Sequence, residues 1–324
     1  MSNSTNLYNQ TVAKDFYDKR YETGYMEEWD EAKKNKVKEI LQQLNLPATG
    51  KALDFGCGNG VFTHLIKTVL PNWQVYGVEI SSVAVQNAAS KFTTCHFFEA
   101  AEANKYANTF DFVFSHHVLE HVPNITATLQ TINNYLKPQA SQLHILPCGN
   151  ANSYEYNICI LRKDGINTQQ ENRFFFEEPG HLRRLTTKEL VKHQQTIGFT
   201  LTQAFYANQH KGAINWITKS SPRFVKKLTD ATQAVDATAA KKLQQLRSTL
   251  LPLTYAQFAY TKYWQINTKW KKSFKDKALL ILLFIPAMIS KILYNKLDKA
   301  AAKEWNTCKH QEAGSEMYVY FTRN

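Results

Sequence analysis

Little in this sequence points to crosslinks or metal scaffolding. Its five cysteines, Cys57, Cys95, Cys148, Cys159 and Cys308, are scattered, odd in number and without CxxC or Cys/His spacing. They read as reduced thiols, so neither a disulfide framework nor a zinc site is expected. No internal repeat or low-complexity tract is visible, and 44% hydrophobic with 13% aromatic residues is too much apolar matter for a solvated tail. The opening MSNSTNLYNQ lacks the basic-then-apolar order of an export signal, so a cytoplasmic location is the expectation. Acids are in deficit, 27 against 39 Lys and Arg, but the deficit is local. Lys211 to Lys309 holds 19 Lys and Arg against 5 Asp and Glu, which leaves 20 against 22 elsewhere. No apolar run reaches the roughly 20 residues that a bilayer span requires.

What is present alternates. Asp15 to Leu44 has helical spacing, with Phe16, Tyr17, Tyr21 and Tyr25 early and Val37, Ile40, Leu41 and Leu44 later. Short apolar runs then read as strands at 52–55, 74–78, 94–98, 110–115 and 142–146, with helical spacing at 62–70, 82–91 and 126–136 between them. LKP reads as a stop before the fifth strand. A helix over 186–197, a strand over 199–206 and a final strand in EMYVYFTRN continue the pattern. The expectation is an α/β fold, a Rossmann-like doubly wound sheet of seven strands whose last strand is antiparallel, with a helical insertion before that strand. The division expected is an N-terminal helical lid over 1–48, a core over 49–208 plus 315–324, and the basic insertion over 209–314.

KALDFGCGNGVF, residues 51–62, feeds a strand into a glycine turn and then a helix. Such a turn lets a cofactor approach the main chain closely. Glu79 ends the next strand about twenty residues on, where a carboxylate can accept both hydroxyls of a ribose. Dinucleotide loops read GxGxxG and set a helix N-terminus against a pyrophosphate. Here Gly56, Gly58 and Gly60 alternate directly behind Asp54. An anionic side chain there repels a pyrophosphate and favours a cation such as an ammonium or a sulfonium.

LDFGCGNG, then VEIS, then FDFVFSHHVLEHVPN together resemble the class I S-adenosylmethionine-dependent methyltransferases, in particular the branch with the ubiquinone-type O-methyltransferases. The likeness runs from about Phe16 to Tyr206 and takes in the last strand. It implies S-adenosylmethionine as cofactor, its methionine part held by Asp54 and by the backbone of Phe55, Gly56, Cys57, Gly58 and Gly60. It assigns Glu79, with Ile80 beside it, to the ribose, and Ala100, Ala101 and Glu102 in FFEAAEA to the adenine. Many relatives carry an acid followed by Ala at that last turn; here Ala100 takes the acid's position, with Glu99 and Glu102 nearby. Tyr17 and Tyr21 fall on the helix that relatives use as a lid, and ordinary packing is the other reading. Ser115, His116 and His117 should line the cleft, with the later residues of SHHVLEHVP beginning a helix. A Pro-rich NPPY-type motif is absent from that position, which favours hydroxyl methylation over methylation of planar amino groups.

Such a transfer needs an aligned acceptor and a base of near-neutral pKa, which points to histidine. His181, in EEPGHLRRLTT, and His117 are the candidates. His144 alternates into the fifth strand and reads as a core residue. Glu120 and His121 divide evenly between packing and contact. No metal is expected.

Within the insertion, the apolar run 278–289 is flanked by lysines, with Trp264 and Trp270 nearby. It reads either as a core helix or as an interfacial segment over 262–299 on an anionic membrane. A nucleic-acid partner ranks lower, because LLILLFIP does nothing for phosphate binding. The acceptor expected is a small molecule, lipid-linked or glycan, met in the cytoplasm or on the inner face of the membrane. An RNA methyltransferase and a non-catalytic partner subunit are the alternatives.

Overall fold

The computed structural model describes residues 10–23 and 29–323, less the side chains of 10–13 and of Ala103. Tyr25 lies outside the described residues. The chain forms two compact units, one of Met1–Pro147, Glu178–Ala204 and Met317–Asn324, the other of Cys148–Glu177 and Phe205–Glu316.

The main sheet uses β1 (Lys51–Phe55), β2 (Gln74–Glu79), β3 (His96–Glu99), β4 (Phe110–His116), β5 (Leu136–Pro147), β8 (Phe199–Ala207) and β9 (Glu316–Arg323). Their order is β3-β2-β1-β4-β5-β9-β8, the seven-stranded arrangement expected, with the last strand antiparallel. β1 pairs in parallel with β2 on one side and with β4 on the other, so the order reverses at β1. The carboxyl ends of these three strands thereby face one crevice. Phe112, Val113 and Phe114 are all fully buried, as strands covered on both faces require.

Helices α1 (Gln10–Glu22) and α2 (Glu31–Gln43) divide the stretch that reads as one helical pattern. α1 ends at Glu22, and Asp30 starts α2 as its cap, its carboxylate accepting from the Ala32 N–H at 2.9 Å. Between β1 and β5 lie α3 (Val61–Val69), α4 (Ser82–Lys91) and α5 (Ile125–Tyr135). α5 stops at Tyr135, just before LKP, but β5 begins at once at Leu136, earlier than the run 142–146. The pairing with β4 jumps from Phe110↔Leu136 to Phe112↔Ser141. Pro138 falls inside that bulge, where its missing N–H breaks no regular ladder. Lys137 reaches back to Asp111 across it at 2.8 Å.

The second unit holds α6 (Tyr154–Cys159), a ribbon of β6 (Ile166–Asn167) and β7 (Arg173–Phe174), α8 (Lys211–Lys219), α9 (Pro222–Leu228), α10 (Ala237–Asn267) and α11 (Phe274–Cys308). Ile158, Ile217, Val225, Leu228, Leu243 and Leu250 form its core. The Arg162 guanidinium lies 3.9 Å from the centre of the Phe175 ring and pairs with Asp164 at 2.9 Å. α11 runs unbroken through Pro286. The twelve-residue apolar run is therefore part of a 35-residue helix long and apolar enough to cross a membrane by length and composition. The remaining α7 (Thr187–Gln195) belongs to the first unit and starts at a Thr186 and Glu189 capping box.

Candidate active site

Where β1 meets its turn, Gly56, Gly58 and Gly60 all have positive φ, at 75°, 52° and 78°. Space constrains them as strongly as the backbone does, and a Cβ on Gly60 would stand 2.9 Å from Ala88 Cβ. A Cβ on Gly56 would stand 2.5 Å from Val118 Cγ2, and one on Gly58 2.8 Å from the Tyr21 hydroxyl. The N–H groups of Gly56 and Cys57 donate to the Val78 carbonyl at 2.8 and 3.0 Å. Gly58 N–H donates to Glu79 Oε2 at 3.0 Å, and Ile80 N–H to Glu79 Oε1 at 2.7 Å. The Glu79 carboxylate and the glycine loop are thus locked together.

Asp54 is 1% exposed and accepts the Thr63 hydroxyl at 2.7 Å. Burial first, and then the charge of Glu79, push its carboxyl up to about 7 against that hydrogen bond. Burial also raises Glu79, although its N–H donors pull the other way.

These groups border a cavity of about 540 Å³. Its described lining contains Asp54 and Glu79 and no Lys or Arg. A floor with no Cβ at Gly56 and Gly58, below two buried acids without a basic partner in the lining, accepts a cation and rejects a pyrophosphate. The donor set fits S-adenosylmethionine, which carries an ammonium, a sulfonium and a ribose.

Most of the residues singled out in the sequence meet at this cavity. Tyr17, Tyr21, Phe55, Cys57, Ile80 and Ala100 line it, as do His116, His117 and His181. Gly60, Ala101, Glu102 and Ser115 do not. Strand alternation sends Ser115 to the face opposite His116, where its Oγ lies 2.7 Å from His144 Nδ1. His144 in turn meets Gln142 at 2.7 Å and Gln194 at 3.0 Å, and burial lowers its pKa to about 3, so it is a neutral core residue. Glu102 pairs with Lys105, away from the cavity, and Glu99 with Lys14 at 3.4 Å.

Residues 117–124 are an irregular loop, not the start of a helix; α5 begins only at Ile125, capped by Asn124 beyond Pro123. This loop is stitched to 178–184. The Arg183 guanidinium donates to the carbonyls of Leu119, Val122 and Pro123, and Leu182 N–H donates to Glu120 O at 2.8 Å. His117 takes the left-handed conformation, φ 54°, which is uncommon for a residue with a side chain. Its Nδ1 lies 2.9 Å from Oε1 of the fully buried Glu120. His121 Nδ1–H donates to Gly180 O at 2.9 Å, and its ring meets that of His181 edge-on at 4.6 Å. Burial opposes ionisation of Glu120, but His117, His121 and His181 outweigh it and hold the carboxyl below its ordinary value. Glu120, His121 and His181 each bring a ligand atom within 4.8 Å of the others, a spacing that a divalent cation could bridge.

Helix α1 reaches both halves of the site. Asp18 accepts from the Ser81 hydroxyl beside Glu79, and Arg20 pairs with Glu178 at 3.4 Å. Trp29 and Phe62 also line the cavity, and Trp29 packs edge-on to His116 at 4.5 Å. Neither was singled out in the sequence; Asp30 as a cap was the signal that Trp29 precedes a second helix.

A sheet of this order, with a glycine turn after β1 and a carboxylate after β2, defines a class I S-adenosylmethionine-dependent methyltransferase. Residues 26–204 match the methyltransferase domain family, and the chain belongs to that family. Class I methyltransferases use S-adenosylmethionine. The demethylmenaquinone methyltransferase of Staphylococcus saprophyticus is 30% identical over 107 residues, 31% of this chain and 46% of that protein. A protein of Invertebrate iridescent virus 6 with a methyltransferase name, 235L, is 28% identical over 110 residues, 34% of this chain and 41% of its own. The aligned stretch thus spans less than half the length of both relatives. The crystal structure of the [4+2]-cyclase SpnF is 13% identical with a TM-score of 0.51, covering 97% of each chain, and shares the fold.

Proposed function

We propose that the protein transfers the methyl group of S-adenosylmethionine to a hydroxyl oxygen of a lipid-linked, glycan or other small acceptor. His117 serves as base, and the reaction takes place at the inner face of a membrane reached through residues 262–299. The observation that carries this reading is the His117 and Glu120 pair, a ring on the cavity wall 2.9 Å from a fully buried carboxylate.

When bound, S-adenosylmethionine supplies an electrophilic methyl on a sulfonium and is left as a neutral thioether. Asp54 and the glycine turn would hold its methionine part, and Glu79 its ribose. Glu120, 2.9 Å from Nδ1, favours the Nδ1–H tautomer of His117, the form in which Nε2 can take the acceptor's proton. The positive charge that develops on the imidazole is balanced by Glu120. His181 orients the acceptor oxygen from the neighbouring loop and is the alternative base. Val118, Val122, Pro123 and Leu182 give the cavity apolar walls that keep water out. Those walls suit a lipid-linked acceptor, in line with the quinone named for the Staphylococcus saprophyticus relative. A lining without Lys or Arg does not suit the phosphates of RNA.

The test is methyl transfer to prenylated quinols, glycans and RNA by the wild type, His117→Gln and His181→Gln. His117→Gln is expected to lower kcat by about 10²- to 10⁴-fold and to leave S-adenosylhomocysteine affinity unchanged. Full turnover by that variant sinks the assignment of the base. Transfer to RNA alone sinks the acceptor class.

A further inference from the structure

The far half of the α10 and α11 hairpin is inside out. Three of its buried positions are small, Thr254, Ala287 and Ser290, beside the larger Ile266 and Tyr294, whereas Phe258, Ile281, Leu282, Phe284, Ile285 and Ile289 are exposed, Ile281 by 79% and Leu282 by 71%. The apolar cluster around Ile217 and Leu243 draws on α10 no further than Leu251 and includes no residue of α11. A helix pair in water buries its large apolar side chains, whereas a pair in lipid packs through small residues and turns the large ones outward.

Charge follows the same plan. Residues 248–261 of α10 and 278–290 of α11 contain no Asp, Glu, Lys or Arg. These stretches lie side by side: the Tyr294 hydroxyl donates to Leu253 O at 3.2 Å, and the Tyr263 and Phe284 rings stand 6.2 Å apart. Toward the turn the band ends at Lys262, Lys269, Lys271, Lys272, Lys275 and Lys277. Toward the base it ends at Lys242, Arg247, Lys291 and Lys296. At 1.5 Å per residue the band is about 20 Å long, short of the roughly 30 Å of a hydrocarbon core. Trp264 and the almost fully exposed Trp270 mark its edge at the turn, as aromatic residues do at a membrane surface.

We propose that the α10 and α11 hairpin is a monotopic anchor. It lies along one leaflet of an anionic phospholipid bilayer, with the Ile281, Leu282 and Ile285 face among the acyl chains and both basic rims among the headgroups. This rests on the membrane-surface reading above and gives it a face and a depth.

The test uses the full chain with vesicles of phosphatidylcholine, with and without phosphatidylserine. Sedimentation with the anionic vesicles is expected. It should weaken about tenfold or more in the triple variant Ile281→Gln, Ile285→Gln, Ile289→Gln and in the quadruple variant Lys269→Gln, Lys271→Gln, Lys272→Gln, Lys275→Gln. S-adenosylhomocysteine titration of both variants should match the wild type, which shows that they fold and separates this proposal from the methyl-transfer reading. In a Cys308→Ser background, Lys271→Cys on vesicles should react with an impermeant maleimide added outside. Protection of that cysteine means a span and overturns the proposal. Wild type left in the supernatant overturns it as well, whether the face is then found buried in a dimer or the basic rims bind RNA.

Discussion

Lowering the pH from 8 to 6 should weaken cofactor binding by about tenfold, or about 1.4 kcal/mol, through Asp54 alone. Burial and the neighbouring Glu79 push the carboxyl up to about 7, and the Thr63 hydroxyl and backbone compensate only partly. At pH 6 about nine carboxyls in ten carry a proton, and at pH 8 about one in ten. A cation entering the site is stabilised by the ionised form, so binding expels the proton and its cost grows below pH 7. The unliganded fold responds with the opposite sense. A carboxyl raised from 3.8 to about 7 binds its proton more tightly folded than unfolded. Its contribution to stability is complete below pH 3.8 and is lost as the pH rises through 7. Asp54→Asn should therefore bind equally weakly at pH 6 and 8 and melt at a higher temperature than the wild type at pH 8. Calorimetric titration with S-adenosylmethionine and S-adenosylhomocysteine at pH 6, 7 and 8 measures the first effect, and thermal melts measure the second. An unchanged affinity across this range in the wild type, or a variant that keeps the wild-type pH slope, refutes the argument.

Other outcomes follow from the same geometry. Glu120→Gln removes the anion beside His117, so the acid limb of the kcat/KM profile should move to lower pH while S-adenosylhomocysteine still binds; an unmoved limb removes Glu120 from the positioning role. Gly58→Ala places a Cβ against the Tyr21 hydroxyl at φ 52°, and should cost about 1–3 kcal/mol in denaturant melts, with cofactor affinity falling in parallel. His144 is held neutral with its pKa lowered from 6.5 to about 3, so the stability it confers is present above pH 6.5 and is lost as the pH falls toward 3. His144→Gln should therefore flatten the acid side of the stability profile and leave methyl transfer intact; a drop in turnover at equal stability contradicts its core role.

The sheet was legible because each of its signals is local. A period of two, a glycine turn and a carboxylate at the end of β2 sit within a few residues of one another, and the strands around Asp54 and Glu79 fall where those patterns place them. The break before α2 was harder to read, because both helices carry apolar residues at helical spacing and the signals between them, Gly24 and the cap Asp30, are single residues. Ser115 shows how fine the parity is: one step along β4 divides a cavity residue, His116, from a partner of the core histidine. The meeting of His117, Glu120, His121 and His181 had no local signal. It depends on Arg183 gathering the carbonyls of a loop about sixty residues earlier, a tertiary event that spacing cannot encode.

The strand order has a consequence for how the chain becomes a protein. β9 lies between β5 and β8, yet it follows β8 by 108 residues and is made after every other strand. During synthesis β5 is therefore an open edge, and β8 has no neighbour in the sheet until the inserted helices have emerged. Closing so long an interval is slow, and an unpaired edge invites pairing with other chains in the meantime. The speed at which the inserted helices fold thus sets how long the nascent sheet stays open to aggregation.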